Sequence, residues 1–160
     1  MIIEIHKLTD NAVIPKYAKE GDAGADLVSI EDVTLHPKQR ILVATGLSMA
    51  IPMGYVGLIH PRSGLAFNKG LTVLNSPGTI DAGYRGEVKV LLINHSQYEP
   101  VTIQKGERIA QLIIQKVEFA DFKEVDALSE TERGEGGFGS TGLTSEQIKV
   151  GWRDGEFEGY

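Results

Sequence analysis

The amino-acid sequence predicts an all-β protein built from short strands: a sandwich, a jelly roll or a small barrel. Three observations support this fold class. The 160 residues include 19 glycines, which suit a chain that reverses direction often. Short apolar runs recur between Gly, Pro and Asn turn signals. Helical signals are few and weak. At this length the chain fits one domain with a sizeable core and is short for two.

Five segments have the length and residue types of strands. The first alternates isoleucine with Glu4 and His6, and the other four are short apolar runs. They occupy residues 3–6, 41–45, 55–59, 88–93 and 109–114.

Turns and helices complete the predicted order of elements. Turns are expected at residues 52–54, 76–78 and 105–106, where Gly and Pro favour the required backbone. One short turn of helix is expected at 64–69. A second helix, behind a Ser or Thr cap, is expected at 144–150.

The composition excludes several classes of site and of partner. There is no cysteine, so a disulfide framework, a zinc-thiolate centre and a thiol nucleophile are excluded. The first residues interleave charged with apolar side chains, unlike a signal peptide. No later segment approaches the roughly 20 apolar residues of a membrane span. We therefore expect a cytoplasmic protein without a membrane partner.

The formal net charge of −6 argues against a nucleic-acid partner, because no basic stripe is present to displace counterions from a phosphate backbone. It is compatible with a small anionic substrate if a few arginines are placed locally against the overall field.

Five short stretches place glycines beside polar residues, an arrangement that a core strand does not need. Residues 22–27 read Asp-Ala-Gly-Ala-Asp-Leu, which is also compatible with a simple turn capped by Asp22. Residues 61–66 read Pro-Arg-Ser-Gly-Leu-Ala and present a guanidinium, a hydroxyl and backbone N–H groups together. Phosphate oxygens accept hydrogen bonds from such a set. The alternative is a surface turn with a solvated Arg62.

The other three stretches lie further along the chain. Residues 75–87 contain an Asp and a Tyr three residues apart, and an Asp beside a phosphate-binding turn is a candidate general base. Residues 106–112 place the polar Gln111 inside an otherwise apolar strand, which makes it a candidate site residue. The alternative is that Gln111 simply occupies an edge or solvent-facing position. Residues 133–142 form a glycine-rich arm that is too polar to fold alone and should be mobile until a ligand binds it. Its large groups are Arg133 and Phe138.

In this order the five stretches resemble the five motifs of the trimeric dUTPases, the deoxyuridine 5'-triphosphate nucleotidohydrolases. The resemblance runs from about residue 3 to residue 142. It implies an antiparallel, barrel-like jelly roll with a C-terminal arm. Three copies would pack about a threefold axis, with motifs from all three chains in each active site. It divides the chain into a β core at 1–130, a mobile catalytic arm at 131–142 and an extension at 143–160.

The resemblance also implies a reaction and a role for each motif. Water attacks the α-phosphorus of dUTP and releases dUMP and pyrophosphate, with Asp81 as the general base. Mg²⁺ sits mainly on the substrate phosphates, and Asp26 reaches it through a water. The hairpin from Thr79 to Lys89 reads uracil with its backbone, Tyr84 lies under the deoxyribose, and the arm closes over the substrate. The implied substrate contacts are Arg62, Ser63, Gly64, Asn75, Thr79, Ile80, Asp81, Tyr84, Lys89, Gln111, Arg133, Phe138 and Gly139.

Two alternatives stay open at this point. The related dCTP deaminases carry a catalytic Glu ten residues after the equivalent of Asp81, where this chain has Leu91. The second alternative is a non-catalytic regulatory protein with the same fold. For the enzyme, the implied duties are keeping uracil out of DNA and supplying dUMP for dTMP synthesis.

The remaining features give no further site. The histidines show no metal-binding spacing and are expected to be packing or surface residues; they are His6, His36, His60 and His95. The family pattern gives residues 143–160 no role. Their five large apolar residues indicate docking on the trimer or binding of a partner; these are Ile148, Val150, Trp152, Phe157 and Tyr160.

Overall fold

The structure, a computed structural model, describes residues 1–137, 151–153 and 156–158. The described part is antiparallel β-structure with one short helix, which confirms the all-β prediction. The strands are β1 (Glu4–Lys7), β2 (Ala25–Val28), β3 (Val33–Leu35), β4 (Arg40–Ala44), β5 (Leu47–Ala50), β6 (Tyr55–His60), β7 (Leu71–Val73), β8 (Gly78–Ile80), β9 (Lys89–Asn94), β10 (Val101–Ile103), β11 (Arg108–Lys116), β12 (Gly151–Arg153) and β13 (Glu156–Glu158), and the helix is α1 (Ser63–Lys69).

Two sheets carry the stretches that the sequence singles out. The larger has the strand order β2-β11-β6-β8, and the smaller has the order β4-β9-β7. The pairs β1-β5, β3-β10 and β12-β13 form two-stranded sheets. The order is not sequential, so strands that are distant in the sequence become neighbours in the fold.

The hydrophobic core follows from the alternation along these strands. In β9, Val90, Leu92 and Asn94 are buried, while Lys89 is exposed. Apolar side chains at alternate positions thus share one face, and burying each contributes roughly 1.5–3 kcal/mol relative to exposure. The Asn94 side chain is accommodated because its Nδ2 donates to the carbonyls of Leu35 and Glu99.

The five predicted strands are all present as β1, β4, β6, β9 and β11, with ends shifted by one or two residues. The sequence pattern did not indicate β2, β3, β5, β7, β8 and β10, nor β12 and β13. Each has only three or four residues, and two of them, β2 and β8, lie inside polar, glycine-bearing motifs.

The helix and turn predictions agree with the structure where it is described. The helix α1 covers the predicted segment and begins one residue earlier, and it ends at Gly70 in the left-handed conformation with φ 62°. Gly54 and Gly106 occupy the predicted turns with φ 83° and 91°. The predicted helix at 144–150 lies outside the described residues.

The chain divides into two compact units, Met1–Ala120 and Asp121–Tyr160. In the second, the strands β12 and β13 pair with Trp152 opposite Phe157. No helix among the described residues has the length and apolar character to cross a bilayer.

Candidate active site

The first candidate site is a cavity of about 480 Å³ on the larger sheet. It is bounded by β2, β11 and the beginning of α1, which together bring three of the five sequence stretches into one place. The predicted residues that line it are Asp26, Arg62, Ser63, Gly64 and Gln111.

The charge of this cavity is determined by one carboxylate between two guanidinium groups. Asp26 Oδ1 pairs with Arg62 Nε at 3.1 Å, and its Oδ2 pairs with Arg108 Nη1 at 3.0 Å. Arg62 Nη1 also donates to the main-chain oxygen of Arg108 at 3.2 Å. Two cations around one anion leave a local positive charge, and Lys69 and Asp22, which also line the cavity, offset each other. The excess of positive charge suits an anionic ligand in a chain of net charge −6.

The interpretation of residues 61–66 as a surface turn with a solvated Arg62 is wrong in one respect. The Arg62 side chain is 27% exposed and ion-paired rather than freely solvated. Ser63 and Gly64 begin α1 and are exposed, and the leading N–H groups of a helix have no partner within the helix. Asp22, in contrast, does cap a turn, because its Oδ2 accepts a hydrogen bond from the N–H of Lys19 at 2.8 Å.

Gln111 lies in the centre of the larger sheet, so the edge interpretation is wrong. Its strand β11 pairs with β2 on one side and with β6 on the other. The side chain is partly buried, and its Nε2 donates to the carbonyl of Pro61 at 3.4 Å. Gly24 makes room for it, since a Cβ on Gly24 would lie 2.8 Å from the Cβ of Gln111.

Arg108 is an ion-paired residue of this cavity that the sequence pattern did not indicate. In a regular strand, residues three apart point to opposite faces, so Arg108 and Gln111 should not share a site. The pairing of β11 with β2 shifts its register between Arg108 and Ala110. Such a bulge inserts one extra residue, and both side chains line the same cavity.

The second candidate site is a cavity of about 590 Å³ beside β8 and β9. Asp81 follows β8 directly and is exposed, as are Asn75, Thr79, Tyr84 and Lys89. All five of these line the cavity together with Ile80. The apolar part of the wall comes from Leu42, Ile59, Val73 and Leu91.

The hairpin at residues 81–89 is anchored by a segment that sequence analysis did not single out, residues 45–48. The Thr45 hydroxyl donates to the carbonyl of Val88, and the Val88 N–H donates to Leu47 O at 2.7 Å. The Ser48 hydroxyl donates to Arg85 O at 2.6 Å. These partners are about 40 residues apart in the chain, so no local pattern indicates the contact.

The two cavities lie on opposite faces of the larger sheet. Ile59 and Ile80, which line the second cavity, lie on the same face as Leu112, because Leu112 pairs with Ile59. Gln111 and Ile113 line the first cavity and flank Leu112 in β11, so their side chains point to the other face. In the described part of the chain, the cavities share no lining residue.

The remaining predicted residues lie elsewhere. Arg133 is in the second unit, where its Nε donates to the carbonyl of Gly136 at 2.9 Å, and Phe138 and Gly139 lie outside the described residues. The histidines are at the surface or half-buried, as expected. Among the residues that the structure describes, no three His, Cys, Asp or Glu side chains are grouped as metal ligands usually are.

A family model for dUTPase matches residues 10–142, which include both cavities and Arg133. The chain belongs to the dUTPase family. Family membership makes it a hydrolase of nucleotide metabolism. Residues 143–160 lie beyond the matched region.

Curated relatives support the assignment to the dUTPases. A deoxyuridine 5'-triphosphate nucleotidohydrolase of Corynebacterium diphtheriae is 57% identical over 142 residues, covering 89% of this chain and 93% of that protein. One of Thermobifida fusca is 59% identical over 140 residues, covering 88% of this chain and 78% of that protein.

Solved dUTPase structures have the same fold. The dUTPase of Staphylococcus bacteriophage 80alpha, determined with dUpNHpp, matches with a TM-score of 0.83 at 33% identity, over 89% of this chain and 99% of that one. It is described as controlling transfer of virulence genes. The dUTPase of the S. aureus phage phi11 matches with a TM-score of 0.75 at 28% identity, over 81% of this chain and all of that one, and is described as coordinating a structural Mg(II) ion.

Proposed function

We propose that this protein hydrolyses dUTP to dUMP and pyrophosphate with Mg²⁺. The observation that carries the proposal is the division of the motif residues between two cavities. One is cationic and rich in donors, as a triphosphate requires, and the other combines an apolar wall with a hairpin and a single exposed Asp, as a nucleoside and its reacting phosphate require. The reaction would keep uracil out of DNA and supply dUMP for dTMP synthesis. A cytoplasmic location stays a prediction from the sequence.

The triphosphate binds in the cationic cavity. Arg62 and Arg108 provide the charge, and Asp26 orients both guanidinium groups by pairing with them. Ser63 and Gly64 add hydroxyl and backbone donors, and the amide of Gln111 adds a neutral one. Phosphoryl chemistry requires mostly positioning and charge neutralisation, so these groups are sufficient for binding.

Asp81 acts as the general base. It accepts a proton from a water molecule whose oxygen forms a bond to the α-phosphorus. The bond from the α-phosphorus to the oxygen bridging to the β-phosphate breaks, and pyrophosphate leaves with that oxygen. A base placed in this way contributes roughly 10²–10⁴-fold to the rate.

The donor set suits Mg²⁺ held chiefly by the substrate. Asp26 and Asp22 are the carboxylates that line the cationic cavity, and both oxygens of Asp26 already accept from arginines while keeping lone pairs for a water. Mg²⁺ keeps several waters and binds through few carboxylates and substrate phosphates. When bound, the ion neutralises phosphate charge; Asp26 would reach it through one of its waters.

Uracil and the sugar are selected in the second cavity. Because the hairpin is anchored to residues 45–48, its backbone donors and acceptors present a fixed pattern to the base edge, which the amine of cytosine does not match. Asn75 and the backbone from Thr79 to Lys89 provide that pattern. The Tyr84 ring lies where a 2'-hydroxyl would have to fit.

The active site is shared within a homotrimer. Since the two cavities lie on opposite faces of the larger sheet, one dUTP contacts both only if they come from different copies. An exposed segment supports assembly: it has large apolar side chains at every third position, Phe119, Phe122, Val125 and Leu128. Isolated chains rarely leave such a row in water. We propose that the arm then closes on the substrate, with Arg133 on the γ-phosphate and Phe138 and Gly139 at uracil.

The two alternatives make different demands on the site. A deaminase would need a carboxylate at position 91, but Leu91 belongs to the apolar wall of the second cavity. A purely regulatory protein would not require Asp81 in that cavity. Both alternatives are tested by the same measurement.

The test is pyrophosphate release from dUTP, dCTP, dTTP and UTP, with and without Mg²⁺. We expect release from dUTP that depends on Mg²⁺ and is much faster than from the other three. Ammonia release from dCTP would support the deaminase instead. Absence of turnover with every nucleotide, in a protein that binds dUTP, would support the regulatory alternative.

A further inference from the structure

The Tyr84 ring lies across the turn of its own hairpin. Its hydroxyl donates a hydrogen bond to the carbonyl oxygen of Glu87 at 3.0 Å, three residues further along the chain. The ring is partly exposed and lines the second cavity, the one beside β8 and β9. Its position is therefore defined at both ends, by its own backbone and by this hydrogen bond.

Gly86 is the residue that the ring passes over. A Cβ on Gly86 would lie 2.7 Å from Cζ and 3.0 Å from Cε2 of Tyr84, and closer still to the hydroxyl oxygen. Carbon atoms that are not bonded to each other do not approach this closely. Gly86 has no positive φ, so its backbone is not in the left-handed region that favours glycine. The ring, which can rotate, is what would have to move.

The hydrogen-bond acceptor for Tyr84 is fixed independently of the ring. The Glu87 carboxylate accepts from the N–H of Gly46 at 2.9 Å and pairs with Lys89 Nζ at 3.3 Å. The next residue, Val88, is held by residues 45–48. A substitution at Gly86 would thus leave the acceptor in place and displace only the ring.

We propose that Gly86 is a specificity-positioning residue. Because it lacks a side chain, the Tyr84 ring can lie flat against the hairpin and form the wall that excludes a 2'-hydroxyl. Gly86 does not itself contact the substrate; it acts through Tyr84. The inference rests on the proposed hydrolysis of dUTP and specifies how that site distinguishes deoxyribose from ribose.

The test compares Gly86→Ala, Tyr84→Ala and the double variant with the wild type. We expect Gly86→Ala to lower the ratio of kcat/KM for dUTP over UTP by about tenfold or more, because a displaced wall no longer excludes the hydroxyl. The ratio for dUTP over dCTP and the thermal midpoint should stay near wild type, since the hairpin backbone is unchanged. In the Tyr84→Ala background the Gly86 substitution should have no effect, because no ring remains to be displaced.

Two results would overturn the inference. One is a Gly86→Ala variant with the wild-type ratio of dUTP over UTP. The other is an equal loss of that ratio in the Tyr84→Ala background, which would indicate that Gly86 acts through the backbone. If the wild type does not hydrolyse dUTP, the proposed function fails. The ring position is then tested by NMR of ¹³C-labelled tyrosine: Gly86→Ala must shift the one resonance that Tyr84→Ala removes, and an unshifted resonance contradicts the inference.

Discussion

At the scale of single residues, Asp26 shows how an acidic protein can carry a local positive charge. The carboxylate accepts from two arginines, so it orients both guanidinium groups and leaves one positive charge in excess. The side chain of Asp26 is 16% exposed, and a pair that is partly shielded from water is screened less by salt than a surface pair. The local arrangement of charged side chains, rather than the net charge of the chain, thus determines the charge of this cavity.

The first prediction at this scale concerns the proposed base. Asp81→Asn should reduce kcat for dUTP by roughly 10²–10⁴-fold while the dissociation constant for dUTP changes little, because the amide keeps the shape but does not accept a proton. Steady-state pyrophosphate release and calorimetric binding measure the two quantities. Activity within about threefold of wild type would contradict the role.

The second prediction at this scale concerns the discrimination between deoxyribose and ribose. Tyr84→Ala should relax discrimination against UTP more than discrimination against dCTP, because the ring excludes the 2'-hydroxyl and the hairpin backbone reads the base. The measurement is kcat/KM for the three nucleotides. Equal relaxation against UTP and dCTP would mean that the two tasks are not divided in this way.

At the scale of elements, the strand β11 shows where the sequence is informative and where it is not. Its run of apolar residues predicts the strand, and the motif around Gln111 predicts a phosphate contact. The register shift after Arg108 has no such signature, so the pattern alone assigns Arg108 to the opposite face. The same applies to the anchor at residues 45–48, which is defined by contacts far apart in the sequence. The residue types of the site could thus be predicted, but its three-dimensional grouping could not.

The arm and the extension give the third prediction. The glycines of residues 133–142 make the arm costly to order, at about 1–2 kcal/mol per residue, and the triphosphate should compensate through Arg133 and Phe138. Deleting residues 131–160 should therefore lower kcat/KM for dUTP strongly, while the β core should still fold and unfold in a cooperative transition. Thermal melts and dUTP kinetics on the deleted and full-length chains measure both. Full activity without residues 131–160 would contradict a catalytic arm.

Deleting only residues 143–160 is the matched control, and it also tests the role of the extension. The two-stranded hairpin β12-β13 is marginally stable by itself, which favours anchoring on a surface. Anchoring predicts a lower thermal midpoint or a modestly raised KM in this shorter deletion. Unchanged values for both would instead assign the extension to an outside partner.

At the scale of the whole molecule, the separation of the two cavities is the feature on which the proposed trimer depends. In the proposed function, each cavity binds a different part of dUTP, and neither is sufficient for the reaction. Light scattering should therefore give three times the chain mass for the active species. A fully active monomer is incompatible with cavities that lie on opposite faces of one sheet.

The most direct measurement mixes two inactive variants. Asp81→Asn impairs only the second cavity and Arg62→Ala impairs only the cationic one, so neither alone should hydrolyse dUTP appreciably. After unfolding and joint refolding in equal amounts, about a quarter of the shared sites should combine an intact Asp81 cavity from one copy with an intact Arg62 cavity from another. We predict pyrophosphate release from dUTP at roughly that fraction of the rate of wild type refolded in the same way. A refolded trimeric mixture no more active than the sum of the two variants would contradict a site shared between copies.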